Sequence, residues 1–385
     1  MTRFGEVLSS FDDFPIHQTS HPIAHTASTD LNHYDRYFFN GYTRDARLYF
    51  AAAMGLYPNR HVADAAFSVV VDGGTPDARQ INVHASRRAP ADRADANEVG
   101  PVKVEVLEPL RALRLTVDAP EHGLRAELTF VRRSAPIEEP HFRQQMGLRV
   151  VFDYTRLTQF GGWEGWIEID GELVDLEPGE TLGSRDRSWG VRPVGERGST
   201  GAPIADPQFF WLWAPINFDT FSTHFDVNEL FDGKRWHETG FVAPVETGSG
   251  SSPEAMRAVD YRIAWSPGTR SAEWFEIDLI PWVGEPSTLR LEPLFHFHML
   301  GIGYGHREWG HGVWKGELAV DGDRWGLPVA TPNAPEHVHI QAMVRATTSG
   351  GLGEHEGIGI LEQLAIGRHV PTALDGLFDG WQPPT

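Results

Sequence analysis

The stretch GSRDRSWGVRP (183–193) sets one acid, Asp186, between Arg185 and Arg187 and just ahead of Trp189 and Gly190. A carboxyl group buried among apolar side chains holds its proton toward neutral pH, because burial disfavours the charged form. Such an acid can protonate a double bond, and the cation that forms is attracted to the negative faces of aromatic rings. Trp163, Trp166, Trp189, Trp211 and Trp213 lie around the motif in the sequence and offer such faces. The two arginines argue the other way, since cations beside a carboxylate keep it ionised. In a strand, residues 185 and 187 point away from the face of 186. In a turn, all three share one surface and form an Arg–Asp staple. Both readings stand on the residues alone.

Histidines supply further candidates. HFDVNEL places His224, Asp226 and Asn228 on one strand face, either inside a barrel as orienting groups or outside as a solvated stripe. WHETG adds His237 and Glu238 on the return strand of a hairpin turning at FDGK (231–234), which allows a His224–Glu238 contact. In LFHFHMLGIGYGHREWGHG, His296 and His298 share a face, and Tyr304, His306, Glu308 and His311 follow. A His-x-His pair with a later carboxylate and His can bind a non-haem metal. The glycine-rich loop before Glu308 fits such a site poorly, so no metal and no cofactor are expected. These residues read instead as pocket polar groups, acid–base groups or packed structural histidines.

Strands must position these groups. VKVEV, LRLTV and LRAELTF alternate apolar and polar residues between turn-forming residues, the period-two signature of half-buried antiparallel strands. VDYRIAW, WFEIDLIPW, LFHFHML and HVHIQAMV continue the pattern, and no long amphipathic helix is visible. Forty Gly and 27 Pro supply frequent turns, while 13 Trp and 22 Phe suit β-packing or an apolar cavity. The net charge of −20 excludes nucleic acid and anionic membranes as natural partners. Without cysteine there is no disulfide, thiol nucleophile or Cys-bound metal. The longest apolar run, FFWLWAPI, is too short to span a bilayer, and no signal peptide is visible, so a cytoplasmic protein without stable membrane insertion is expected.

An internal echo suggests duplication. WEGWIEIDGELVDL (163–176) and WKGELAVDGDRWGL (314–327) align without gaps, and each reads as a strand, an Asp-Gly turn and a return strand. At the same offset Asp186 matches His337. The expected organisation is an arm (1–30), two β-barrels (31–200 and 201–370) joined near GERGSTGAPIADP (195–207), and a tail (371–385).

The Trp-x-Gly hairpins, the Asp ahead of Trp-Gly and the late GHGVWKGEL together resemble the lipocalin-like carotenoid 1,2-hydratase (hydroxyneurosporene synthase, AttH-like) superfamily over about residues 30–370. The resemblance implies an all-β chain of two tandem lipocalin-like barrels packed together, and cofactor-free chemistry on hydrophobic isoprenoid, polyketide or steroid-like substrates. In the hydratases the acid is an Asp of a Tyr-x-Asp segment, and the matching position here is Asp186, with Ser184 where the Tyr would stand. On this reading Asp186, His224, His298 and Tyr304 are the expected catalytic groups. The five Trp, His296 and His337 are the expected substrate contacts. A non-catalytic carrier of apolar molecules is the alternative, and a carbohydrate-active protein with paired carboxylates a more distant one.

Overall fold

A computed structural model describes residues 8–195, 207–246 and 252–383. Among them the chain is all-β: strands and six short 3-10 segments, with no α-helix. Among the described residues no helix is long and apolar enough to cross a membrane. Two antiparallel sheets of 14 and 10 strands form tandem lipocalin-like halves. In the larger, the central run is Arg79–Arg88, Val62–Val71, Tyr49–Tyr57, His33–Thr43, Thr181–Val191, Arg149–Ile169, Leu124–Arg132, Ala112–Ala119 and Val102–Glu108. In the smaller, it is Arg235–Pro244, Phe221–Glu229, Phe209–Trp213, His355–Ile366, Ile340–Gly350, Ser287–His298, Ala272–Ile280 and Ala258–Trp265.

Alternation decides which side chains fill the interiors. Leu113, Leu115 and Val117 and, on the next strand, Leu124, Ala126, Leu128 and Phe130 point inward and close on Trp163. Trp163 lies edge-on to Phe39, Phe50 and Phe130, and its Nε1 donates to the Asn40 carbonyl at 2.9 Å. Phe225, Trp265, Phe275, Ile277, Leu289 and Leu291 fill the second half in the same way. Each such side chain contributes about 1.5–3 kcal/mol on burial. Both interiors are therefore occupied by side chains.

A third layer lies between the sheets. Phe38, Tyr42, Tyr49 and Leu182 of the first pack on Trp213, Phe297, Met343, Ile358 and Ile360 of the second. Hydrogen bonds cross it: Asn217 Nδ2 donates to the Tyr42 hydroxyl at 2.9 Å, and the Tyr49 hydroxyl donates to Gln341 Oε1.

The echo is only half structural. In the first copy Asp170 and Gly171 take φ of 51° and 89° and turn the chain, so Ile169 pairs with Glu172. In the second, Asp321 and Gly322 lie inside one continuous strand, Leu318–Gly326, where Gly322 opposes Val83. That strand joins the edge of the first sheet against Arg79–Arg88, although sequence order places it in the second half. Nine ladder partners on Arg79–Arg88 outweigh a two-residue turn preference. The Trp-x-Gly part does recur, with Gly165 and Gly316 at φ of 125° and 123°. Segments near both ends of the described residues are tied down. Ser9 and Ser10 hydrogen-bond Asp92, and Arg270 donates to the carbonyls of Asp375, Gly376 and Asp379.

Candidate active site between the two sheets

Register assembles the site. Asp186 lies in mid-strand, directly opposite Phe38 on one side and Thr158 on the other. One row along, Ser188 lies between Arg36 and Arg156, and the next row sets Gly190 between Tyr34 and Tyr154. These residues share the face turned to the second sheet, so the acid neighbours a row carrying two guanidiniums. Gly190 is required there: at φ 138° an added Cβ would come within 2.3 Å of the Asp153 carbonyl oxygen. Arg185 and Arg187 point to the opposite face, as strand alternation demands. Arg185 donates to Gln159 Oε1 at 2.9 Å, and Arg187 pairs with Asp35 over the Tyr37 ring.

Asp186 is half-buried, and burial pushes its carboxyl up to about 6 against the opposing charges of Arg156, Arg36 and Arg192. Glu139 adds to the rise, and no hydrogen bond from the described residues holds the carboxylate form. Beside it Arg156, itself buried, spans two carboxylates: it donates twice to Glu139, at 2.8 and 2.6 Å, and once to Asp226 of the second sheet. With one cation between two buried acids, burial and the Glu139 charge raise Asp226. Glu139 is held low by Arg156 and His224 against its own burial. Thr158 Oγ1 adds a 2.6 Å hydrogen bond to Glu139.

The second sheet contributes aromatic faces and an oriented imidazole. Trp211 Nε1 donates to Asp226 at 2.8 Å, and Trp213 lies edge-on to Phe38 and to His224. His339 pairs through Nε2 with Glu362 at 2.6 Å, and Gln341 donates to the other Glu362 oxygen at 2.6 Å. A carboxylate on Nε2 fixes the proton there and leaves Nδ1 as the basic nitrogen. The His339 ring lies 4.6 Å from that of Tyr304, whose hydroxyl accepts from Arg36 at 2.9 Å and Arg192 at 3.3 Å.

Of the residues singled out from the sequence, Asp186, His224, Tyr304, Trp211 and Trp213 border this layer. The others do not. Trp163 is the centre of the first core, at 0% exposure. Trp166 opposes Glu127 and Asp175 on the flank of that barrel. Trp189 is 42% exposed and lies on the strand face of Arg185 and Arg187, opposite that of Asp186. His296, His298 and His337 meet elsewhere, around a small recess with Arg270 and Ser271, because a bulge between Pro293 and Phe295 turns both strand histidines away from the inter-sheet face. There His298 Nδ1 meets the His337 carbonyl at 3.1 Å, and burial lowers His298 to about 3. His337 sits in a turn rather than a strand, so its match to Asp186 is not structural. His224 opposes Phe241 and lies 3.5 Å from Glu139. Glu238 is exposed and pairs with Arg235, which corrects the expected His224–Glu238 contact.

The metal reading of the histidine-rich loop fails on position: Glu308 is exposed beside Lys315, far from the His296–His298 recess, and His311 Nε2 meets the Ile302 carbonyl at 2.8 Å. Two other groups have ligand-like spacing. In Glu139, Asp226 and His237 the Arg156 guanidinium already occupies the cation position. In His84, His306 and Asp323, His306 Nδ1 accepts the N–H groups of Glu308 and Trp309 at 3.1 and 3.0 Å. That leaves the His306 proton on Nε2, 3.2 Å from Asp323, where a metal would need a lone pair. Neither group is built for a metal.

Sequence reasoning missed Arg36, Arg156, Arg192, Glu139 and the His339–Glu362 pair. The usable signal was polar residues at inward positions of apolar strands, as in YDRYFF, HVHIQAMV and ILEQLAI.

No curated protein matches the chain. Among solved structures, an AttH candidate (NE1406) from Nitrosomonas europaea is similar over 91% of this chain and 98% of that one, at 13% identity and a TM-score of 0.53. Kievitone hydratase from Nectria haematococca aligns over 86% of this chain and 88% of its own, at 10% identity and a TM-score of 0.45. CghA aligns over 87% and 88%, at 12% identity and 0.44. The AttH likeness is one of fold alone. The match that reaches across the sequence is to a family model covering residues 8–375, and the chain belongs to that family, the family of unknown function DUF8625.

Proposed function

We propose that the layer between the sheets is the active site of a cofactor-independent enzyme of hydratase, cyclase or isomerase type, acting on a hydrophobic small molecule. Asp186 delivers a proton. His339, oriented by Glu362, accepts one through Nδ1 or activates water. Trp211, Trp213 and Phe38 supply the apolar wall. The observation that carries this reading is Asp186 itself: an acid pushed up to about 6, without a stabilising hydrogen bond from the described residues, on the face turned to the sheet that contributes an oriented imidazole. An acid that keeps its proton toward neutral pH and an imidazole with an open acceptor nitrogen are the pair acid–base catalysis needs. The filled barrel interiors favour this layer over a lipocalin-type carrier cavity.

The test incubates the protein with terpenoid, polyene and polyketide-like compounds in heavy water and reads mass gain and deuterium incorporation. Turnover by the native chain that falls at least about 100-fold in Asp186→Asn is expected, the usual scale for losing a general acid. Turnover unchanged in Asp186→Asn would overturn the assignment.

A further inference from the structure

Buried charges need counter-charges, because taking an unpaired guanidinium out of water costs several kcal/mol. Some arginines here obey this rule, while buried Arg185 and Arg270 meet only an amide oxygen or backbone carbonyls. Arg156 has Glu139 and Asp226, and Arg187 has Asp35. Among the described residues Arg36 and Arg192 have no carboxylate in hydrogen-bond contact, although the carboxyls of Asp186 and Asp64 lie close enough to feel their charge. Arg36 is 2% exposed, yet its contacts are the Tyr304 hydroxyl, His311 Nδ1 at 3.3 Å and the Ile302 carbonyl at 3.5 Å, all neutral. Arg192 reaches the same Tyr304 hydroxyl and stacks over Tyr34 at 4.7 Å. Both keep a buried Nε with no partner among the described residues. Tyr304 accepts from both, so its own O–H is free to donate outward. Three donors thus converge on one point beside Asp186, walled by Tyr34, Trp211 and His339.

We infer that this point binds an anionic oxygen of the substrate, a carboxylate or an enolate carried on an apolar skeleton, held by Arg36, Arg192 and the Tyr304 O–H. The inference rests on the inter-sheet layer being the active site. Its chemistry differs from that of a bare hydrocarbon, since two guanidiniums repel a carbocation and favour a negative oxygen. It also gives the substrate a fixed orientation: charged end toward Arg36 and Arg192, apolar body toward Trp211 and Trp213.

The test is calorimetric titration of the full chain near neutral pH with naphthalene-2-carboxylate, with the uncharged naphthalene-2-carboxamide, and with dimedone, an enolate under these conditions. At least one anion should bind about tenfold or more tightly than the carboxamide, as a charge-assisted contact predicts. Which anion binds better separates the carboxylate from the enolate. Arg192→Gln and Arg36→Gln should each remove most of the preference, and Arg192→Lys should keep part of it. Should Arg36→Gln fail to fold, the half-buried Arg192 still carries the test. Equal affinities for charged and neutral probes, no binding of either anion, or a preference surviving Arg192→Gln would each overturn the inference. Asp186→Asn should retain the anion preference. Loss of turnover dependence on Asp186 with that preference intact would refute the acid, not the anion site.

Discussion

The interior of the first barrel and the layer between the two sheets are equally hidden from water but solve burial in opposite ways. Around Trp163 the indole N–H is satisfied by the Asn40 carbonyl and the packing is apolar, with one guanidinium, that of Arg185, lying over Phe130 and donating to Gln159. Between the sheets, Arg36, Arg156, Glu139, Asp226, Glu362 and His339 are all buried, alongside half-buried Asp186. A fold that can seal one interface with Phe, Leu and Trp has no packing need for charges in the other. The charged layer is costly as structure, and burial raises the proton affinity of two of its acids, Asp186 and Asp226. Perturbed groups gathered in one place mark a site rather than a scaffold.

The largest effects should separate the two regions by kind. Trp163→Ala opens a cavity among Phe39, Phe50 and Phe130 and should cost about 3–5 kcal/mol by chemical denaturation. Trp211→Ala loses one hydrogen bond at a half-buried position and should cost only about 1 kcal/mol, while weakening ligand binding. Equal losses would erase the distinction between core and site.

Within the charged layer, breaking one partner should cost more than removing all of them. Arg156→Met strands Glu139 and Asp226 without their cation and should cost about 3–5 kcal/mol. Adding Glu139→Gln and Asp226→Asn to that variant should restore most of the stability. If the triple variant is no more stable than Arg156→Met, the carboxylates are not what makes the loss costly.

Asp186 should behave in the reverse sense to a stabilising ion pair. Its carboxyl is raised from the ordinary 3.8 to about 6, so the fold prefers the protonated form. That contribution is fully present below about 3.8 and is lost as pH rises through about 6. Above that range the ionised group opposes folding, by up to about 3 kcal/mol at about 1.4 kcal/mol per pKa unit. Asp186→Asn should therefore raise Tm at mildly alkaline pH, lose that advantage in acid, and abolish the proton transfer. Activity of the native chain should decline as pH rises through about 6. A variant less stable than the native chain at alkaline pH would mean that Asp186 is a structural partner.

Much of this architecture is legible in the sequence, and the rest fails for identifiable reasons. Period-two alternation locates many of the strands, while the orientation of Asp186 away from Arg185 and Arg187 follows only once 181–191 is known to be a strand. Position in sequence does not say which Trp share a face across strands, so Trp163, Trp166 and Trp189 look as eligible as Trp211 and Trp213. The arginines that set the electrostatics come from strands far apart in the chain: Arg36 and Arg156 meet only through their pairing with Ser188. The Asp321-Gly322 pair misleads because a turn preference of this size yields to a ladder already offered by Arg79–Arg88.

That late strand supports the smallest prediction. Leu318–Gly326 closes the edge of the first sheet, and its Arg324 donates to Asp170 at the turn of the earlier echo copy, at 3.2 and 3.3 Å. The contact links the two similar segments and invites the idea that it holds the strand in place. Both side chains are more than a third exposed, at 51% and 37%, so water and salt screen the pair. The strand's attachment comes instead from backbone pairing along its whole length, which Arg324 does not affect. Arg324→Gln should therefore cost less than about 1 kcal/mol, with the difference shrinking further in high salt. A larger, salt-independent loss would place the anchor of this strand in its side chains, and would set the sheet edge with the charged layer rather than with the packed cores.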